Sequence, residues 1–306
     1  MERNKFLWQA VKVVVFILMT WIIADRIFLD GNFDEKWTLF KNQLSRSHPA
    51  YILAAFGLMP VNWSVEAFKW RTLLQSREPF SVFLRSVIAG ATFGFVTPGR
   101  TGEFVGRVFY IPEENKTRAF YLSALGGIAQ TSVTIAIGAL AIGIWSNDPL
   151  YTGIATGVAA VFLFSFFRYD LLSSIIARIP FLQKRQWTVT PDDLPQLHLQ
   201  LKIISIALLR YSVYITQYVS LCYFFGIGSE PAPIALRCSI YMVAQTFSPL
   251  MPSVDVTYRG GAALAIFEDL SQNALGIVSV SFFGWFINLC IPSVVGYIFL
   301  WRKNKG

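Results

Sequence analysis

Apolar residues along this chain run in long stretches broken by brief polar punctuation, without the strict alternation that marks half-buried strands. Residues 6–24 (FLWQAVKVVVFILMTWIIA) open the series. Arg3 and Lys5 precede them and no small-residue cleavage signal follows, so they predict a retained membrane span with its N-terminus in the cytoplasm. The segment 25–49 mixes Asp25, Asp30, Asp34 and Glu35 with Arg26, Lys36, Lys41 and Arg46, and predicts a short helix along the interface. A second span covers about 50–70, with Lys69, Trp70 and Arg71 as its basic and aromatic cytoplasmic boundary. Further spans fall at 119–145, 149–167, 203–225 and 274–300, the first two joined by the turn Ser146-Asn147-Asp148-Pro149.

Two stretches are too long for one span and too interrupted for two. Residues 80–96 are apolar, then Thr97-Pro98-Gly99-Arg100-Thr101-Gly102-Glu103 breaks the run before a short apolar piece ends near Ile111 and Pro112. Residues 234–247 behave alike, with the break Ser248-Pro249-Leu250-Met251-Pro252-Ser253 and a second piece reaching Phe267. Unwound backbone at membrane depth is tolerated only where protein or water satisfies its amides, so each stretch predicts a re-entrant helical hairpin, at 80–111 and 232–268.

Shifting the sequence on itself by 152 residues aligns Leu84-Arg85 with Leu236-Arg237, Phe95 with Phe247, Glu103 with Asp255 and Arg107 with Arg259. The expected architecture is therefore an all-α polytopic membrane protein. It forms a single integral domain over residues 1–306, with about six full spans plus two re-entrant hairpins arranged as an inverted repeat. The first unit covers 50–145 and the second 203–300. Inverted repeats with broken helices are a recurrent transporter plan, with the site near the midplane where the hairpin tips meet.

Composition agrees: only 14% of the 306 residues are charged and 54% are apolar, against about 25% charged in an average soluble domain. The net charge of +8 does not imply nucleic acid, because no basic cluster with interleaved aromatics stands clear of an apolar segment. Most of the 26 Lys and Arg instead fall in segments that this topology places in the cytoplasm, including the polar loop 168–202 and the tail after Trp301. Both termini are then cytoplasmic. The loop 25–49, with its four basic residues on the outer side, is discordant. Cys222, Cys238 and Cys290 have no ligand spacing, and His48 and His198 lie far from them, so no metal and no cofactor is expected.

The candidate site is charged residues inside apolar segments. Glu103 with Arg107, and Asp255 with Arg259, are i,i+4 pairs immediately after a helix break. Each is either a structural salt bridge or part of a binding site; the cost of charge within a bilayer favours the site. Helix starts at the breaks offer free amides to an anion, and Arg100, Arg107 and Arg259 suit a phosphate. Gly99, Gly102, Gly260 and Gly261 read as turn or close-packing positions. Arg85, Arg237, Arg210 and Glu66 form a second tier: the first two begin their hairpins and could snorkel, and the others have no assigned partner. No Walker loop, nucleophile elbow, HExxH or dinucleotide fingerprint occurs.

The run Thr97-Pro98-Gly99-Arg100-Thr101-Gly102-Glu103-Phe104-Val105-Gly106-Arg107, after a span ending Trp70-Arg71-Thr72-Leu73-Leu74, resembles the lysylphosphatidylglycerol synthase transmembrane-region family. That family includes the flippase-like membrane domain of the multiple peptide resistance factor. Met251-Pro252-Ser253-Val254-Asp255-Val256-Thr257-Tyr258-Arg259-Gly260-Gly261 looks like its second motif, with Asp255 where Glu is expected. The resemblance implies an inner-membrane protein that translocates or handles lipids, with Arg100, Glu103, Arg107, Asp255 and Arg259 at its site. No aminoacyl-transferring domain follows residue 301, so an enzyme is not expected. The leading expectation is a flippase or scramblase-like transporter that passes the anionic or zwitterionic head group of a phospholipid or polyprenyl-linked lipid through a polar midplane cavity; a membrane enzyme acting on a lipid phosphate or polyprenyl-phosphate sugar and a small-solute secondary transporter remain open. A homodimer and a separate lipid-modifying enzyme are open as partners.

Overall fold

The protein was analysed as a computed structural model, which describes residues 2–29, 32–111, 116–168, 195–248, 252 and 255–303. The described residues are helical, with no strand among them. Helices α1 (Glu2–Ala24), α2 (Phe33–Arg46) and α3 (Pro49–Leu74) are followed by α4 (Phe80–Phe95), α5 (Gly102–Tyr110), α6 (Lys116–Ser146) and α7 (Pro149–Phe167). Then come α8 (Leu197–Phe225), α9 (Pro231–Thr246), α10 (Val256–Phe267), α11 (Ala274–Trp285) and α12 (Ile291–Lys303), the last two joined by a π-helical turn at Phe286–Cys290.

The boundaries follow local chemistry. Pro49 sits at the start of α3, where a missing N–H costs nothing, and His48 accepts a hydrogen bond from the Ala50 amide. Asp148 caps α7 in the same way ahead of Pro149, on the turn expected there. α8 stops at Gly226 in the left-handed conformation (φ 70°), a regular helix terminator. α2 is the short helix expected in segment 25–49, and none of its residues is buried.

Among the described residues, four helices are long and apolar enough to cross a membrane: Arg118–Ser146, Pro149–Phe167, Leu197–Phe225 and Ala274–Trp301. The chain is an all-α membrane protein. α3 has the length of a span, with 26 residues, yet falls short in apolarity because Asn62, Glu66 and Lys69 occupy its second half. Two boundaries differ from expectation. Lys69 and Trp70 do not mark an exposed membrane edge, since both are fully buried. α8 begins at Leu197, inside the expected polar loop 168–202; the part of that loop from 169 to 194 lies outside the described residues, as do Pro112 and most of the second break.

Register comes from side-chain contacts. α3 and α8 are antiparallel neighbours: Arg210 bonds Asn62, and two turns later Gln217 bonds the carbonyl of Ala55. α4 folds back on α5, and glycines make the approach possible: a Cβ on Gly102 would meet the Phe93 carbonyl oxygen at 2.5 Å, and one on Gly106 would meet the Gly90 Cα at 2.8 Å. α9 folds back on α10 through the Tyr241 hydroxyl, which donates to the Arg259 carbonyl, and the Tyr258 hydroxyl, which donates to the Ala244 carbonyl. The pairs are cross-braced. α4 of the first packs on α12, with Thr92 donating to the Ser293 carbonyl and Ser293 to that of Ala91, while α9 of the second packs on α6, Val243 against Gly138. α1 covers α10, with Met19 and Ile23 seated over Gly261 and Gly260.

Two apolar cores result. One gathers Trp63, Trp70, Leu122, Leu125 and Ile203 from α3, α6 and α8; the other gathers Leu221, Tyr241, Phe267 and Ile287. Between them lies the polar region.

Candidate functional site: a charged hub beside a polar cavity

Glu66, on the inner face of α3, is the centre of an ion-pair network. Its carboxylate meets Lys69 Nζ at 2.8 Å, Arg107 Nη1 at 2.7 Å and Arg210 Nη1 at 2.8 Å. Arg107 carries the network to Glu103 at 2.5 Å, and Glu103 continues to Arg100 at 2.9 Å. Four cations thus share two carboxylates. All are buried except Arg100, whose side chain is 31% exposed. The neighbouring Arg107 carbonyl accepts from Ser86, whose oxygen in turn accepts from Trp70 Nε1, so the base of α5 is fixed against α3 and α4. Arg210 is held further by Asn62 at 3.0 Å and lies over the ring of Tyr214.

The second hairpin supplies a simpler counterpart. Arg259 Nε donates to Asp255 at 2.8 Å, and its Nη1 also bonds Gln245 across the hairpin. The Arg259 carbonyl accepts from Tyr241, much as that of Arg107 accepts from Ser86.

Both sets border one cavity of about 270 Å³. The first hairpin contributes Gly99 and Arg100; the second contributes Gln245, Pro252, Asp255 and Arg259. Arg210 and Tyr214 of α8, Gln130 of α6 and Asn288 close the sides. The tip of the first hairpin is tightly wound, with Gly99 and Arg100 both at φ 59°. That conformation is ordinary for glycine but costs a residue with a Cβ about 1–2 kcal/mol, and such strain gathers at functional sites. Trp285 braces the opposite tip by donating to the Pro252 carbonyl at 2.6 Å and lies 6.0 Å from the Phe95 ring of the first hairpin. Asn288 sits in the π-helical turn, another feature frequent at functional sites. Its Nδ2 donates to Gln217 at 2.8 Å, whereas its Oδ1 and Gln130 Oε1 are buried without a hydrogen-bond partner among the described residues.

Of the expected residues, the structure brings together Arg100, Glu103, Arg107, Asp255 and Arg259 at or beside this cavity. Glu66 and Arg210, without partners in the sequence reading, pair with each other and belong here too. Arg85 and Arg237 do not. Arg85 is exposed, as snorkelling requires. Arg237 is buried, against that simple picture, and is tied to Asp269 and to the face of Trp145 at 4.7 Å. The residues missed were Asn62, Lys69, Gln217 and Asn288. A signal for the first two existed: Asn62, Glu66 and Lys69 recur at helical spacing along α3, as Arg210, Tyr214 and Gln217 do along α8.

An all-α membrane protein with a charged, polar cavity between two broken helical pairs is the class that the fold and the site define. Residues 9–262 match the lysylphosphatidylglycerol synthase TM region, and the chain belongs to that family. No curated protein matches the chain as a relative. Membership corrects one expectation. The family is the membrane region of a synthase, so the expectation that the chain is not an enzyme does not stand.

Proposed function

We propose that the protein carries the polar head group of a membrane lipid across the bilayer through the cavity between the hairpin tips, its acyl chains remaining in the lipid. The observation that carries this reading is that Arg100 and Arg259, one from each hairpin, border the same cavity. In this reading the two units, 50–145 and 203–300, are inverted repeats, the hairpins 80–111 and 232–268 enter from opposite faces, and six spans leave both termini in the cytoplasm of an inner-membrane protein. Support comes from the antiparallel contact of α3 with α8 and from the reciprocal packing of α4 on α12 and α9 on α6. A cavity of head-group size that opens in turn to either leaflet is the alternating-access arrangement of such folds.

The test is reconstitution. Purified protein in liposomes moves lipid between leaflets across a panel of head groups, and Arg100→Gln or Arg259→Gln slows that movement several-fold while the protein remains folded. Wild-type rates equal to those of empty liposomes for every head group would refute it. Mass spectrometry of lipids from a strain lacking the protein separates transport from lipid chemistry: unchanged totals with altered leaflet exposure support transport, and loss of a lipid species supports an enzyme. Orientation is tested by single cysteines at Asn147, expected outside, and Gln186, expected inside.

A further inference from the structure

The carboxylates at and behind the cavity wall are held unequally. Glu66 is met by three cations and Glu103 by two. Asp255, which lines the cavity, has one ion-pair partner among the described residues: Arg259, whose Nε donates to Oδ2 at 2.8 Å. Its other oxygen, Oδ1, is buried without a hydrogen-bond partner among the described residues, on a side chain only 1% exposed. Asp255 stands at the N-cap of α10, yet its side chain makes no capping bond there. A buried carboxylate oxygen to which nothing donates is costly while charged, and a proton on it removes that cost.

The groups around Asp255 come from several elements. Arg259 and Tyr258 lie on its own helix, Tyr241 on α9 and Ser248 at the break, and Arg100 approaches from the first hairpin, where Glu103 engages it at 2.9 Å. The Tyr241 hydroxyl is committed to Ser281 and the Arg259 carbonyl, and that of Tyr258 to the Ala244 carbonyl. Tyr218 of α8 faces Arg259. α11 carries no titratable side chain, and α1 meets α10 further along, through Met19 and Ile23. Arg259 thus carries the local charge balance, with Nε serving Asp255 and Nη1 serving Gln245. An anion that binds this guanidinium puts a second negative charge beside Asp255. Two anions that share one buried cation do not both stay ionised, and between a phosphodiester and a carboxylate the carboxylate is the one that takes the proton.

We propose that binding of an anionic phosphate group at Arg259 is linked to uptake of one proton by Asp255, so that ligand and proton occupy the cavity together. The new O–H bond forms at Oδ1, the proton comes from the aqueous phase, and the negative charge brought by the phosphodiester is cancelled. The proposal rests on the reading of the cavity as a head-group site; within that reading a head group crosses together with a proton and carries no net charge through the membrane potential.

The test is calorimetric titration of the full chain in detergent at pH 7 with two phosphodiesters that do not themselves titrate there, dihexanoyl phosphatidylglycerol and dimethyl phosphate. Each is run in two buffers of different ionisation enthalpy, and the difference in heat counts the protons. About one proton is taken up per bound ligand, and the affinity of the wild-type protein falls about tenfold from pH 7 to pH 8. Binding of the lipid alone with that uptake supports the linkage for a lipid head group; binding of both supports it for the phosphate group in either setting. Asp255→Asn, whose Oδ1 can still accept from Arg259, keeps the binding but takes up almost no proton and loses the pH dependence, with its thermal transition checked alongside. Heats that agree between buffers, an affinity that does not change with pH, uptake that persists in Asp255→Asn, or binding of neither phosphodiester would overturn the proposal. Failure of transport is a separate result: proton uptake on binding with no lipid movement in liposomes removes the transport reading and leaves the linkage standing, whereas lipid movement without proton uptake does the reverse.

Discussion

Replacing Glu66 with Gln removes one charge and a few atoms' worth of interaction, yet it should be among the most damaging single changes in the protein. The wild-type network sets four cations against two carboxylates, and Glu66 alone meets Lys69, Arg107 and Arg210 at 2.7–2.8 Å with 1% exposure. After Glu66→Gln the same four cations share Glu103 alone, and the new amide N–H groups point at cations that can only donate. Breaking a buried ion pair by removing one partner costs about 3–5 kcal/mol. At about 2–4 °C per kcal/mol, the thermal transition falls by roughly 10 °C. Lys69→Met is the informative control, because it removes a cation from a cluster already in cationic excess and leaves Glu66 with both arginines. Its transition should stay within about 4 °C of wild type. Thermal unfolding of purified protein in detergent, followed by loss of the monodisperse species, measures both. A transition for Glu66→Gln within that same margin, or a larger loss for Lys69→Met than for Glu66→Gln, would refute the description of Glu66 as the hub.

The close approach of α4 and α5 predicts that Gly102→Ala, whose Cβ would press on the Phe93 carbonyl at 2.5 Å, destabilises by about 1–3 kcal/mol; Gly153→Ala on α7, with nothing within 4 Å, is neutral or slightly stabilising in the same unfolding assay. Gln217→Leu removes the bond to the Ala55 carbonyl and leaves the Asn288 amide with only its bond to the Gly284 carbonyl, at about 1–3 kcal/mol in all, and Gln217→Glu restores only the bond from Asn288.

Much of the fold was legible because a membrane imposes few choices. Long apolar stretches had to be helices, and Pro98, Gly99 and Gly102 had to break one of them. The i,i+4 pairs Glu103/Arg107 and Asp255/Arg259 were legible for the same reason, since residues at that spacing share a helical face whatever surrounds them. What could not be read was anything set by contact between distant helices. Lys69 next to Trp70 and Arg71 carries the local signature of a membrane boundary, and only the packing of α3 against α8 turns it inward to Glu66. Arg237 looked equivalent to Arg85 when the sequence was shifted on itself by 152 residues, but Arg237 is buried against Asp269 and Trp145 whereas Arg85 is exposed. The cavity's amide lining was invisible because Gln130, Gln245 and Asn288 lie on three separate elements and are unremarkable singly.

The central claim is that the two hairpin tips border one cavity whose opening and closing moves the head group. Gly99 and Thr246, one from each hairpin, both line it. With the native cysteines replaced, Gly99→Cys and Thr246→Cys provide a pair of thiols that a short bifunctional reagent can bridge; the left-handed position of Gly99 makes that substitution cost about 1–2 kcal/mol, and the unlinked double variant controls for it. Lipid movement in liposomes is then compared before bridging, after bridging and after the bridge is cleaved. The account predicts that bridging forms within one chain, arrests lipid movement, and that cleavage restores it; bridged protein moving lipid at the unlinked rate would contradict it.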